Sequence, residues 1–168
     1  SKERATRVST TFARNDCEVA VIGAGPFGLA AAAHLKSANI ATRVFGEPMS
    51  FWRNNMPKGM KLRSPWVASH IAHPADAHSL DDYAAMRGFA PHEQMAVGEF
   101  INYGRWFQSQ AVPDLDTRKV AVVEAAPNGF RLRLADGESV KARRVVVAMG
   151  LAHQEFRPAA FAGLPAEV

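Results

Sequence analysis

The chain has 168 residues, 48% of them hydrophobic and 21% charged, and carries a formal net charge of +4. That is long enough to bury a core, and no stretch approaches the roughly 18 to 20 apolar residues that cross a bilayer. Half of the net charge falls in the first sixteen residues, where Lys2, Arg4, Arg7 and Arg14 face Glu3 and Asp16, so the pI of 9.6 does not argue for nucleic acid as a partner. Cys17 is the only cysteine. It excludes an internal disulfide and a cysteine-rich metal site, and it fits a reducing cytoplasm.

Residues 1–16 have no apolar h-region and are read as a disordered N-terminal arm. Val19-Ala20-Val21-Ile22 then reads as a buried parallel strand and runs directly into Gly23-Ala24-Gly25-Pro26-Phe27-Gly28. Leu29 to Leu35 reads as a helix. This strand, glycine turn and helix form a G-x-G-x-x-G fingerprint in its proper context. Gly23 is expected to make the tight turn, Gly25 to let a pyrophosphate approach the backbone at a positive φ, and Gly28 to let the helix pack on the strand. The diphosphate would sit on the unpaired N–H groups at the positive end of the helix.

Ile40 to Phe45 is a second short strand, completing a β-α-β unit. Gly46 to about Pro74 contains four prolines and little periodicity, which predicts a long functional loop. Ser79 is placed to cap a helix that stops at Gly88, and Val97, Phe100, Ile101, Gly104 and Phe107 recur at helical spacing before Pro113. Lys119–Glu124 and Phe130–Leu134 read as strands joined by an Asn128-Gly129 turn. After Asp136-Gly137, Val140–Met149 reads as a strand whose end, Val145 to Ala148, is apolar on both faces and so must re-enter the parallel sheet.

A parallel sheet with a three-stranded antiparallel meander behind a glycine fingerprint resembles the FAD-binding part of the two-dinucleotide-domain flavoproteins. The similarity is greatest to the flavin-containing monooxygenases and the lysine/ornithine N-hydroxylase-like oxidoreductases. Gly23–Gly28 resembles their first FAD motif, and Ala148-Met149-Gly150 their A-T-G motif with Met149 in place of threonine. Phe51-Trp52 through Leu62-Arg63-Ser64-Pro65 resembles their loop along the flavin. The resemblance implies a Rossmann-like FAD-binding α/β domain over residues 17–168, incomplete at its C-terminus before an NADPH-binding domain. It also implies an FAD-dependent, NADPH-using oxidoreductase that hydroxylates an amine or another soft nucleophile. The alternative is an FAD-binding module completed by a partner chain or a second copy. The adenine edge would meet the backbone around Val120, while Gly23, Gly25, Pro26, Phe27, Gly28, Ala148 and Gly150 would surround the cofactor.

Two departures from that pattern stand out. The acidic residue that holds the adenosine ribose falls by spacing on Gly46, with the carboxylate one residue later at Glu47. Either the turn shifts so that Glu47 serves, or the ribose is held differently. No second G-x-G-x-x-G occurs in the 168 residues. Trp52 either covers the flavin or anchors its loop, and Arg63 either holds a phosphate or is solvated. His70, His73 and His78 with Asp76 lie on a proline-interrupted loop without the spacing of a zinc site. Trp106 and Phe107 read as core.

Overall fold

The computed structural model describes residues 16–91, 94–151, 154 and 156–164. The expected N-terminal arm therefore lies outside the described residues, apart from Asp16. The apolar run becomes β1 (Cys17–Ile22), followed by α1 (Pro26–Ser37) and β2 (Thr42–Phe45). β1 and β2 are parallel, with Val21 beside Val44 and Ile22 beside Phe45. Pro26 occupies the first turn of α1, where its missing N–H costs no helical bond. Leu29, Ala32 and Ala33 form the buried stripe of that helix, and the two alanines let it lie close to the sheet.

The meander consists of β3 (Val120–Ala126), β4 (Gly129–Leu134) and β5 (Ser139–Val147). Asn128 and Gly129 both take positive φ (67° and 149°), as a tight hairpin requires. β5 serves two partners. Its first residues, Ser139 to Ala142, pair antiparallel with β4, and Ala142 to Val147 run parallel to β1. One five-stranded sheet in the order β2-β1-β5-β4-β3 results, with the re-entry into the parallel sheet that the sequence predicts. The end of β5 is less covered than its composition suggests. Val145 and Val146 are half-buried on opposite cores, and Val147 is 66% exposed. Beyond Ala142 only β1 pairs with β5 among the described residues.

β1 divides the hydrophobic interior. Val19 and Val21 face α1 and the helical layer, whereas Ala20 and Ile22 join Phe45, Leu132, Leu134, Val140 and Ala142 on the meander side. Within the helical layer, α3 (Leu80–Arg87) begins at a complete capping box between Ser79 and Asp82 and ends at Gly88, whose φ is 75°. The amphipathic stretch forms α4 (Val97–Ala111), burying Phe100, Tyr103 and Phe107. Gly104 leaves room on that helix for the fully buried Met49 side chain.

The 46–74 segment is more structured than its prolines imply. It contains α2 (Ser50–Asn55) and a 3₁₀ turn at Trp66–Ala68. Met49 starts α2 from a left-handed conformation, φ 57°, and donates its N–H to the carbonyl of Ala24 at 3.0 Å. Burial of its side chain holds that conformation, a tertiary cause with no local signal. Trp66 donates its indole N–H to Asp81 at 2.6 Å. The Tyr103 hydroxyl accepts the Ile71 N–H at 3.0 Å and donates to the His78 carbonyl at 3.2 Å, tying the 70–79 segment to α4. Burial pushes its pKa up to about 12. No helix among the described residues is long and apolar enough to cross a membrane.

An ionic knot joins the meander to β2. Arg118 contacts Asp116 (2.7 Å), Asp136 (2.7 Å) and Glu138 (2.6 Å), and Arg43 also reaches Asp116 at 3.0 Å. Hydrogen bonds from Arg118 hold the carboxyl of Asp116 below its ordinary range. A depressed carboxylate pKa contributes stability above the unfolded value near about 3.9 and loses it as pH falls through the lower folded value. Arg118→Ala should therefore unfold at lower urea than the parent at pH 7, with the gap closing as pH is lowered from about 5 towards 2. A gap that persists at pH 2 would remove Asp116 ionisation as the cause. Tyr103→Phe leaves the buried Ile71 N–H without its acceptor and should cost about 1–3 kcal/mol in the same urea titration.

Candidate functional site

The turn after β1 is a stack of backbone on backbone. At Gly23 (φ 113°) an added Cβ would overlap the carbonyl of Ala148, with the Met149 nitrogen 3.0 Å away. At Gly28 a Cβ would overlap the carbonyl of Gly23 and lie 3.5 Å from the Ala148 side chain. Gly28 thus permits the close helix–strand approach the sequence predicts, and the two segments of the fingerprint touch where the Ala148-Met149-Gly150 strand end crosses them. The Ala148 N–H donates to Ile22 at 2.7 Å and holds the crossing in register.

Gly25 differs. A Cβ built there meets nothing within 4 Å. Its φ is −78°, which any residue adopts, so the expected positive φ is not found and nothing in the fold itself requires glycine here. Gly25 caps α1 without a side-chain bond, and the first turn carries no acidic residue. The N–H groups of Phe27 and Gly28 at this helix start have no acceptor one turn earlier. Pro26 is half-buried and Phe27 is 86% exposed beside the open space.

A cleft of about 470 Å³ opens beside Gly23 and Ala24 of this turn, and Gly25, Pro26, Phe27, Gly28 and Ala148 are not in its lining. Its floor is Ile22, Gly23, Ala24, Phe45 and Gly46. One wall is the face of α2 that carries Ser50, Phe51, Asn54 and Asn55, and the other is Lys119, Val120 and Met149. Gly46 sits at the end of β2 with φ 121° and donates its N–H to Asp116 at 2.9 Å. Glu47 lines the cleft and forms an ion pair with Arg53. Val120 and Glu47 thus line one cleft together with α2.

The other residues singled out by sequence do not line this cleft. Trp52 projects from α2 on the opposite side, edge-on to Phe100 at 4.8 Å and packed on the helical core, so it anchors the segment. Leu62 is buried and donates its N–H to Met95 at 2.8 Å. Arg63 is exposed, and Ser64 shares a 2.9 Å hydrogen bond with Ser69. Gly150 follows Met149 with φ 67° and lies outside the cleft lining. Trp106 and Phe107 pack in the core as read. His73 and His78 meet edge-on at 5.3 Å, and His70 accepts the Leu80 N–H at 3.1 Å. No group of three or more His, Cys, Asp or Glu among the described residues could hold a metal ion. Sequence reasoning missed the α2 wall. Its signal was Ser50, Phe51, Asn54 and Asn55 at one-face helical spacing, obscured by Pro48 and Pro57 on either side.

Residues 17–167 match the model of the pyridine nucleotide-disulphide oxidoreductase family. The chain belongs to that family. Pyridine nucleotide-disulphide oxidoreductase domains of this kind bind FAD. Among solved structures the chain is similar to an ornithine N-hydroxylase from Kutzneria sp. 744, with a TM-score of 0.70, 18% identity, and coverage of 80% of this chain and 37% of that one. A flavin-containing monooxygenase from Stenotrophomonas maltophilia gives a TM-score of 0.67 at 20% identity over 80% of this chain and 38% of that one. The bacillithiol disulfide reductase of Staphylococcus aureus gives 0.65 at 19% identity over 81% and 39%. At these identities the likeness is one of fold, the Rossmann-like FAD-binding fold of the family. The chain spans about two fifths of each of these proteins. A search of curated proteins found no match.

The contrast between the two glycines is testable. Gly28→Val should lower the thermal midpoint sharply, since its side chain must displace backbone. Gly25→Val should leave the midpoint within a few degrees and remove dinucleotide binding. Retention of FAD by Gly25→Val within about threefold of the parent (~0.65 kcal/mol) would place the diphosphate elsewhere.

Proposed function

We propose that this chain is the FAD-binding portion of an NAD(P)H-using flavoprotein oxidoreductase of the monooxygenase type. The open space at Gly25, above the uncapped start of α1, carries this reading. Backbone N–H groups and the positive end of a twelve-residue helix suit a diphosphate there, and no side chain stands in its way. Gly23, Gly25, Pro26, Phe27 and Gly28 would hold the diphosphate. Glu47 would take the ribose hydroxyls in place of the missing acid at Gly46, and the backbone at Val120 would face the adenine. Ala148, Met149 and Gly150 would border the path towards the flavin. Bound FAD supplies the electron transfer, and the protein orients it and excludes water.

Leu62, Arg63 and Ser64, in the loop that resembles the flavin loop, would act by shaping the segment around Ser69 and Met95. Fold likeness to the ornithine N-hydroxylase and flavin-containing monooxygenase supports an amine or other soft nucleophile as substrate class. NADPH would then bind to parts of a longer protein, in the reducing setting of the cytoplasm. Residues 17–168 would form one FAD domain. A second reading, an FAD-binding module completed by another chain, is favoured by one observation. Phe27, Val147 and Leu151 are 86%, 66% and 65% exposed near the glycine turn and the end of β5, an apolar surface suited to a covering element.

Flavin titration tests the main reading. The chain should prefer FAD to FMN, because FMN lacks the diphosphate that Gly25 leaves room for. Equal affinity would contradict it. With FAD added, the 168-residue chain should oxidise NADPH no faster than free FAD, whereas rapid NADPH-dependent flavin reduction would mean that these residues also build the nicotinamide site.

A further inference from the structure

Gly104 lies inside α4, where glycine is a poorer helix former than alanine, and a tertiary contact accounts for it. A Cβ built there would overlap the Met49 sulfur and lie 2.6 Å from its Cγ and 2.8 Å from its Cε. Met49 is fully buried, so that side chain has no solvent to retreat into. Gly98 of the same helix is exposed, and a Cβ there meets nothing within 4 Å. The backbone of Met49 is tied as firmly as its side chain. It starts α2 from the left-handed region, donates its N–H to the Ala24 carbonyl at 3.0 Å and accepts the Arg53 N–H at 3.0 Å. Ala24 is the residue between Gly23 and Gly25, and Glu47 stands two residues before Met49. Trp52, edge-on to Phe100, ties α2 to α4 a second time.

We propose that Met49 is a positioning residue for the dinucleotide site. Seated on Gly104, it fixes Ala24 of the glycine turn through a backbone hydrogen bond and fixes Glu47 through the start of α2, while its own side chain stays outside the cleft lining. The inference rests on the dinucleotide reading above and adds the remote contact that holds its turn in place. A close-packed interior passes a displacement on, because no void absorbs it. Methionine is flexible, yet the overlap at Gly104 reaches its Cγ as well as its sulfur and Cε, so rotating the terminal methyl does not clear the space. A methionine in the left-handed region also has little backbone freedom. One carbon added at Gly104 would therefore push Met49 off α4 and load its bond to Ala24. Gly23 and Gly28 would stay where the main-chain crossing holds them, so the turn would be altered at Ala24 alone.

The test is a double-mutant cycle on the full 168-residue chain with two readouts. One is FAD titration at a temperature where each variant is folded, and the other is hydrogen exchange of the Met49 amide in the chain without FAD. Gly104→Ala should weaken FAD about tenfold and speed exchange of the Met49 N–H by a similar factor. Gly98→Ala, the same change on the same helix, should alter neither. In a Met49→Ala background the overlapped atoms are gone, so Gly104→Ala should change FAD affinity less than about twofold. A parental value of either readout in Gly104→Ala, even with a lower thermal midpoint, would make the contact merely structural and overturn the proposal. Equal loss of affinity with Met49 and with Ala at that position would also overturn it. Should Met49→Ala fail to fold, the comparison of Gly104→Ala with Gly98→Ala decides by itself. If the parent binds no FAD, the dinucleotide reading fails. If the parent binds FAD and Gly104→Ala binds it equally well, only the positioning role is refuted.

Discussion

Everything in this site depends on how closely three pieces of backbone can approach one another. Gly23, Gly28 and the Ala148 carbonyl occupy a space in which one additional carbon atom at either glycine would overlap main-chain atoms. Main chain cannot yield as a flexible side chain can, so the crossing of β1, α1 and the end of β5 leaves no room for a side chain at either glycine. That crossing sets where the start of α1 points. It also sets the floor of the cleft, and it brings Met149 to the wall opposite α2.

The remaining structure supports the crossing from two sides. The helical layer buries Val19, Val21 and Val44 beneath α1 and α4, with Met49 wedged against Gly104 so that α2 is carried to the cleft. The meander buries the other face of β1, and β5 divides its length between antiparallel and parallel partners. Arg118 ties the hairpin turn at Asp136 and Glu138 to Asp116 beside β2. In an exposed setting each of these pairs would contribute little, and the shared guanidinium is what makes them a network.

In the proposed reading, donors for an anion would come from the main chain at the start of α1 and need no particular side chain. A family match over residues 17–167 stands beside identities of 18–20% with solved structures, so the likeness to them is one of fold.

From the sequence alone, the order of elements, the glycine turn, the Ser79 and Gly88 helix boundaries and the return of β5 were legible. Each follows from local chemistry: a strand's apolar run, a cap, a tight turn at Asn128-Gly129. The sequence also located Glu47 and Val120, which the fold brings to one cleft. What it did not determine is which way each loop residue faces. Trp52 and Phe51 are neighbours, yet one packs on Phe100 and the other lines the cleft, a choice made by the wedge of Met49 under α4. The ordinary φ of Gly25 was not legible, because the path of the turn is set by the distant Ala148 strand end. Local propensities name the elements; long-range packing decides what their side chains face.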